Sequence, residues 1–215
     1  MAEDASGWST GPLGYASFWF SRQFLLLVGS VLLWQEPFYY RLGNVFIHAL
    51  AATAWFCLVR EITGQTIVAA AAGPLFLVYP TQTQAVTYIT QRFESQAVMF
   101  MLCSAAAYTR FRRTKRNGWI AAVVGFAIAA AFTKETAVIL PVWLLLIELV
   151  FFERGWIRNR AFAYMVPLGL VLVIPATKTS ISTGYLTLGW IRWDKYLLTQ
   201  GPVLTMYFPL VTWPR

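Results

Sequence analysis

The chain has 215 residues, 58% of them apolar and 12% charged, with a mean hydropathy of +0.57. Water-soluble domains carry about 25% charge, so the composition excludes a soluble body of this size. It fits a bilayer, where each crossing needs about 20 apolar residues with their backbone bonds closed internally.

The net charge of +8 would suggest a nucleic-acid partner in a soluble protein. Here the basic residues collect in short connections between apolar runs, the pattern of an oriented membrane protein, and no nucleic-acid partner is expected. Cys57 and Cys103 lack metal or redox spacing and read as small buried side chains.

In chain order, residues 1–17 are rich in Gly, Ser and Thr and read as loop. They lack the basic and apolar regions of a cleaved signal peptide. Phe18 to Trp34 is apolar but interrupted by Ser21, Arg22 and Gln23; its unbroken part, FLLLVGSVLLW, has 11 residues. That is short for a crossing and predicts an interfacial or re-entrant helix. The aromatic connection QEPFYYR suits the headgroup level.

Spans are expected at about 42–59, 66–79, 94–109, 118–133, 136–152 and 161–176. Pro141 is expected to loosen one turn of the fifth. A seventh, 196–213, is broken by Pro202 and Pro209. The expected fold is therefore all-α, a polytopic transmembrane bundle of six or seven spans. Residues 1–41 would form an external segment with an interfacial helix, 42–176 the transmembrane core, and 177–215 an external loop with a partial helix.

Orientation follows from charge. Arg60 closes one connection; Arg110, Arg112, Arg113, Lys115 and Arg116 fill a second; Arg154, Arg158 and Arg160 fill a third. These nine of the seventeen basic residues fall on one side of an alternating chain, which the positive-inside rule makes cytoplasmic. The Ala and Gly runs in the spans read as packing surfaces.

Four features on the opposite, outer face could carry chemistry. Gln91-Arg92-Phe93-Glu94 opens the third span beside a polar run, Thr81 to Gln91. Arg92 there either snorkels or serves a site. Lys134-Glu135, pressed between two apolar runs, is either a neutralised pin or part of an anion pocket. His48, the single histidine, shares a helix face with Asn44 and suits either a helix–helix hydrogen bond or acid–base work. The stretch Arg192 to Gln200 mixes charge, aromatics and amide. One histidine makes no metal site, and no hydrolase, zincin, P-loop or Rossmann fingerprint is present.

The stretches YYRLGNVFIHAL (39–50), PLFLVYPTQTQAVTYITQR (74–92), FTKETAVILPVWLLLIE (132–148) and YLLTQGPVLTMYFPLVTWP (196–214) resemble the polytopic glycosyltransferases of the GT-C type. They are most similar to the tetratricopeptide-bearing O-mannosyltransferases and their bacterial counterparts. The resemblance covers most of positions 20–214, with Tyr79 where many relatives have histidine.

It implies a sugar carried on a polyprenyl or dolichyl phosphate, transfer on the non-cytoplasmic side, and a protein or glycan acceptor. By resemblance, Arg22, Arg92 and Lys134 would face the donor phosphate, while Glu94, Glu135 and Gln200 would orient them or line the sugar pocket; His48 is a further candidate for substrate contact. No cofactor is evident beyond the lipid-linked donor. A divalent metal is compatible with the chemistry, though no metal site stands out.

The family's catalytic acid follows a first transmembrane helix, and here only Glu3 and Asp4 precede Arg22. Relatives also continue past the external loop. A truncated form of a longer enzyme in a bacterial inner membrane is thus expected. A lipid or solute transporter and a non-enzymatic assembly protein are the competing readings.

Overall fold

A computed structural model describes residues 11–28, 36–79, 82–152, 169, 199–203, 205, 206 and 208. Among these, regular structure is entirely helical. The helices are α1 (Pro12–Val28), α2 (Glu36–Thr63), α3 (Thr66–Val78), α4 (Thr83–Thr87), α5 (Arg92–Thr114), α6 (Gly118–Ala131) and α7 (Leu140–Phe151). Short 3-10 turns at Ile89–Gln91 and Glu135–Ile139 lead into α5 and α7.

Their ends follow local chemistry. Pro12 opens α1 and Pro141 lies in the first turn of α7, positions where the missing N–H costs nothing. Helix α2 ends where Gly64 takes φ +72° and donates its N–H to the Arg60 carbonyl, a left-handed termination natural to glycine. Lys115 ends α5 in the same conformation at φ 57°.

Helix α2 runs parallel to α5: Asn44 meets Arg92 at one end and Glu61 meets Arg110 at the other. Helix α3 returns antiparallel against α2, with Phe76 stacked on His48 and Gly73 beside Phe56. Helix α6 is antiparallel to α5, tied by a Ser104 hydroxyl donating to the Val123 carbonyl at 2.9 Å. The chain then turns up again through Glu135–Ile139 into α7, whose Glu148 reaches Arg112.

The core between these helices is built on small residues, with Ala51, Ala54, Ala105, Ala107, Ala127 and Ala130 buried around Leu58, Leu140 and Leu144. Small side chains let helix backbones approach closely.

Helix α1 lies across one end of this bundle. Leu13 donates its N–H to the Phe132 carbonyl, Tyr15 and Phe18 contact Phe93, and Phe18 reaches Tyr40. In the first turns of one helix it thus meets the end of α6, the start of α5 and the start of α2.

Several expectations are corrected. The stretch 1–17 was expected to be loop throughout, but α1 begins at Pro12; proline in a first turn is a start signal that the Gly- and Ser-rich composition masked. Pro141 starts α7 instead of loosening a span. The boundary at 41/42 falls inside α2.

Six or seven spans are not supported. Among the described residues one helix, over Phe38–Thr63, is long and apolar enough to cross a membrane, while Thr66–Val78 and Gly118–Ala131 are apolar but shorter. At 1.5 Å per residue the latter two reach only about 20 Å against a hydrocarbon core of about 30 Å. The expected span 161–176 lies outside the described residues apart from Gly169, as does much of 196–213.

The lateral surface is apolar. Phe46, Ile67, Leu75, Val78 and Val150 are each more than 60% exposed, while Arg92 and Glu148 are fully buried.

Candidate functional site

Two polar clusters occupy opposite ends of the bundle. The first joins α1, α2, α4 and the start of α5 around Arg92. Its side chain is fully buried, and its guanidinium makes four hydrogen bonds. Nε donates to Asn44 Oδ1 at 2.8 Å, Nη1 to the Ser17 carbonyl at 3.2 Å and Ser21 Oγ at 2.9 Å, and Nη2 to the Tyr40 carbonyl at 2.6 Å. The guanidinium also stacks over the Phe18 ring, 4.3 Å from its centroid.

Asn44 completes the cluster, donating from Nδ2 to the Val86 and Tyr88 carbonyls at 3.3 and 3.1 Å. Gly43 makes room for it: a Cβ there would stand 2.5 Å from Arg92 Nη2.

Every Arg92 acceptor is neutral, and among the described residues no carboxylate is paired with it. Arginine does not give up its proton in proteins. Among the described residues, this end of the bundle therefore holds a buried positive charge that no paired carboxylate cancels.

At the same end, Lys134 forms an ion pair with Glu94, and the Thr136 hydroxyl donates to Glu94 Oε2 at 3.3 Å. The Lys134 and Glu94 side chains are 30% and 35% exposed, so this pair is open to contact from outside the bundle. The sequence left Lys134-Glu135 as either a neutralised pin or part of an anion pocket; the ion pair that forms is with Glu94, because the extended backbone at Lys134 carries its side chain across to α5. Glu135 is half-buried one residue on.

Arg22 is exposed on α1, next to the Ser21 that holds Arg92. His48 is buried one turn below Asn44, stacked on Phe76 at 5.3 Å, with Nε2 lacking a hydrogen-bond partner among the described residues. Asn44 is engaged by Arg92 and the loop carbonyls rather than by His48. Gln200 is half-buried in the helical stretch 199–203. Arg22, Arg92, Glu94, Lys134 and Glu135 thus share one end, with His48 deeper in the bundle.

The second cluster was missed. Glu148 is fully buried on α7 and accepts from Arg112 through both oxygens at 2.8 and 2.6 Å, and from the Tyr108 hydroxyl at 2.8 Å. Arg112 also lies over the Phe152 ring at 4.9 Å. The sequence placed Arg110, Arg112 and Arg113 in a connecting loop; they belong to the last turns of α5. The signal available was Glu148, a lone acid in an apolar run. Arg110 pairs with Glu61 at 2.8 Å, and Arg113 donates to the Ile62 carbonyl at 3.1 Å. Arg60 stands at this end too, so two of the three basic connections share one face.

Among the described residues, no group of three or more His, Cys, Asp or Glu is gathered as a metal site.

No protein-family model matches the chain, and no solved structure matches it. Two curated relatives match over part of it. Protein O-mannosyl-transferase Tmtc1 of Drosophila melanogaster is 30% identical over 102 residues, and protein O-mannosyl-transferase Tmtc2 of the same organism is 29% identical over 108. Each match takes in 47% of this chain and 12% of the relative, so the chain spans only a small part of those proteins' length. The chain is distantly and partially similar to O-mannosyl-transferases, in agreement with the group its motifs resemble.

Proposed function

We propose that this chain is a multi-pass membrane portion of a glycosyltransferase, seated in a cell inner membrane. It takes a sugar, mannose by the names of its relatives, from a polyprenyl-phosphate donor at the non-cytoplasmic end marked by Arg92 and Lys134. The observation that carries this reading is the uncancelled charge of Arg92 beside the partly exposed Lys134. A dianionic or monoanionic phosphate is the natural counter-ion for such an end.

Placement in a bilayer is supported by the exposed apolar side of the bundle, where Phe46, Ile67, Leu75 and Val150 stand open among the described residues. The basic connections at the opposite end support a cytoplasmic location for that end. Helix α1, lying across the outer end, takes the interfacial position.

In the reaction, the oxygen of an acceptor hydroxyl attacks the anomeric carbon while the bond from that carbon to the phosphate oxygen breaks. The lipid phosphate leaves with the bonding pair, and the hydroxyl proton passes to a carboxylate. Lys134 stabilises the departing phosphate; Glu94, held by Lys134 and Thr136, fixes the ammonium in place. The proton-accepting carboxylate is supplied by none of these side chains. The acceptor, a protein or glycan, is expected on the same side.

The test is equilibrium binding of polyprenyl-phosphate mannose to the chain in lipid nanodiscs. Lys134→Gln is expected to weaken binding about tenfold or more, the value of a hydrogen bond to a charged group, with the unfolding temperature within about 4 °C of wild type. Equal affinity in both proteins would overturn the proposal and favour a purely structural role for this charge cluster.

A further inference from the structure

A cavity lies toward the other end of the bundle. Between α2, α5 and α6 runs an open trough of about 580 Å³. Leu50, Ala54, Met99, Phe100 and Phe126 make its walls apolar, and Arg60, Glu61 and Arg110 stand at its end. The volume lies within the roughly 300–1,000 Å³ of small-molecule sites.

Its length has a specific value. From Leu50 to Arg60 is ten residues of helix, or about 15 Å, which is half of a hydrocarbon core of about 30 Å. The trough is one leaflet deep, apolar along its course, and cationic where a headgroup would sit.

The charge at that end is unequal. Arg110 is paired with Glu61, whereas Arg60 is exposed and its guanidinium makes no ion pair among the described residues. With Arg113 and Arg116 nearby in sequence, the end has a net positive charge.

We propose that this trough is a binding site for an anionic glycerophospholipid of the cytoplasmic leaflet, with one acyl chain along α2 and α5 and its phosphate on Arg60. It is distinct from the donor site, which lies at the other end of the same helices. The inference rests on the bilayer placement proposed above and is independent of the transfer reaction.

The probe is phosphatidylglycerol carrying a photoreactive diazirine on one acyl chain, with the phosphatidylcholine analogue as comparison. The full chain is purified in nanodiscs and crosslinked peptides are mapped by mass spectrometry. Phosphatidylglycerol should label the Met99–Cys103 peptide about fivefold more than phosphatidylcholine, since one arginine at a membrane surface contributes about that factor for an anionic lipid.

Arg60→Gln should abolish the preference, while Arg116→Gln, outside the trough, should keep it. Thr53→Trp, which fills the trough from an exposed position, should lower labelling by either lipid. Equal labelling by both lipids, or equal loss in Arg60→Gln and Arg116→Gln, would each overturn the site. Loss of donor binding in Lys134→Gln leaves these outcomes unaffected, so the two proposals fail separately.

Discussion

The two ends of the bundle each bury an arginine at the end of the same helix, and they treat it in opposite ways. Arg112 meets the carboxylate of Glu148 through a two-bond fork with Tyr108 as third partner. Among the described residues Arg92 meets amide, carbonyl and hydroxyl oxygens and the rings of Phe18 and Tyr40. The first arrangement cancels its own charge and acts as a clasp between α5 and α7. The second fixes the guanidinium equally well but leaves its charge to act on whatever lies outside. Hydrogen-bond satisfaction and charge neutralisation are separate requirements, and among the described residues Arg92 meets the first without the second.

Breaking the clasp gives the largest expected effect. Glu148→Gln keeps the shape but strands Arg112, and removal of one partner of a buried pair costs about 3–5 kcal/mol; thermal unfolding in detergent reads this. Replacing both residues by leucine should recover most of the loss, because a buried pair is worth little against apolar packing.

Arg92→Met should cost less. It leaves Asn44 Oδ1 without its donor, at about 1–3 kcal/mol for one buried unsatisfied group, and among the described residues removes no carboxylate's partner. The same unfolding measurement ranks the two ends. If Arg92→Met proves more damaging than Glu148→Gln, a carboxylate outside the described residues pairs with Arg92 and the contrast fails.

Gly43→Ala sharpens the comparison at one atom. The added methyl would meet Arg92 Nη2 at 2.5 Å, and a guanidinium held by four bonds yields poorly, so about 1–3 kcal/mol of overpacking strain is expected. Smallest is Lys134→Gln, within about 1 kcal/mol of wild type because its pair is partly exposed. Its effect belongs to donor binding, which separates function from stability at the Arg92 end.

The sequence made the helical interior legible because apolar runs of the right length leave few other options. Thr66–Val78 agrees with its expected range to within a residue, and α2 and α5 contain theirs. What it hid were terminal signals that composition overrode: Pro12 within a Gly- and Ser-rich segment, and the basic run after Thr109, whose arginines extend α5 by a further turn until Lys115 ends it.

Partners distant in sequence were also hidden. Glu94 lies 40 residues before Lys134 and Arg112 lies 36 before Glu148, so no local pattern joins them. Adjacent Lys134 and Glu135 suggested a pair because they are neighbours in the chain, but side chains of neighbouring residues point apart. Gathering Arg92, Glu94 and Lys134 at one end was legible from alternation of the spans; that Arg92 would be wholly inside was not.

The most direct test of a phosphate-facing Arg92 end is amide hydrogen exchange on the chain in nanodiscs, with and without polyprenyl-phosphate mannose. The account predicts new protection confined to residues 88–96 and 132–137, with exchange at 58–62 and 108–115 unchanged. Protection at 58–62 and 108–115 instead, or at neither end, would contradict it.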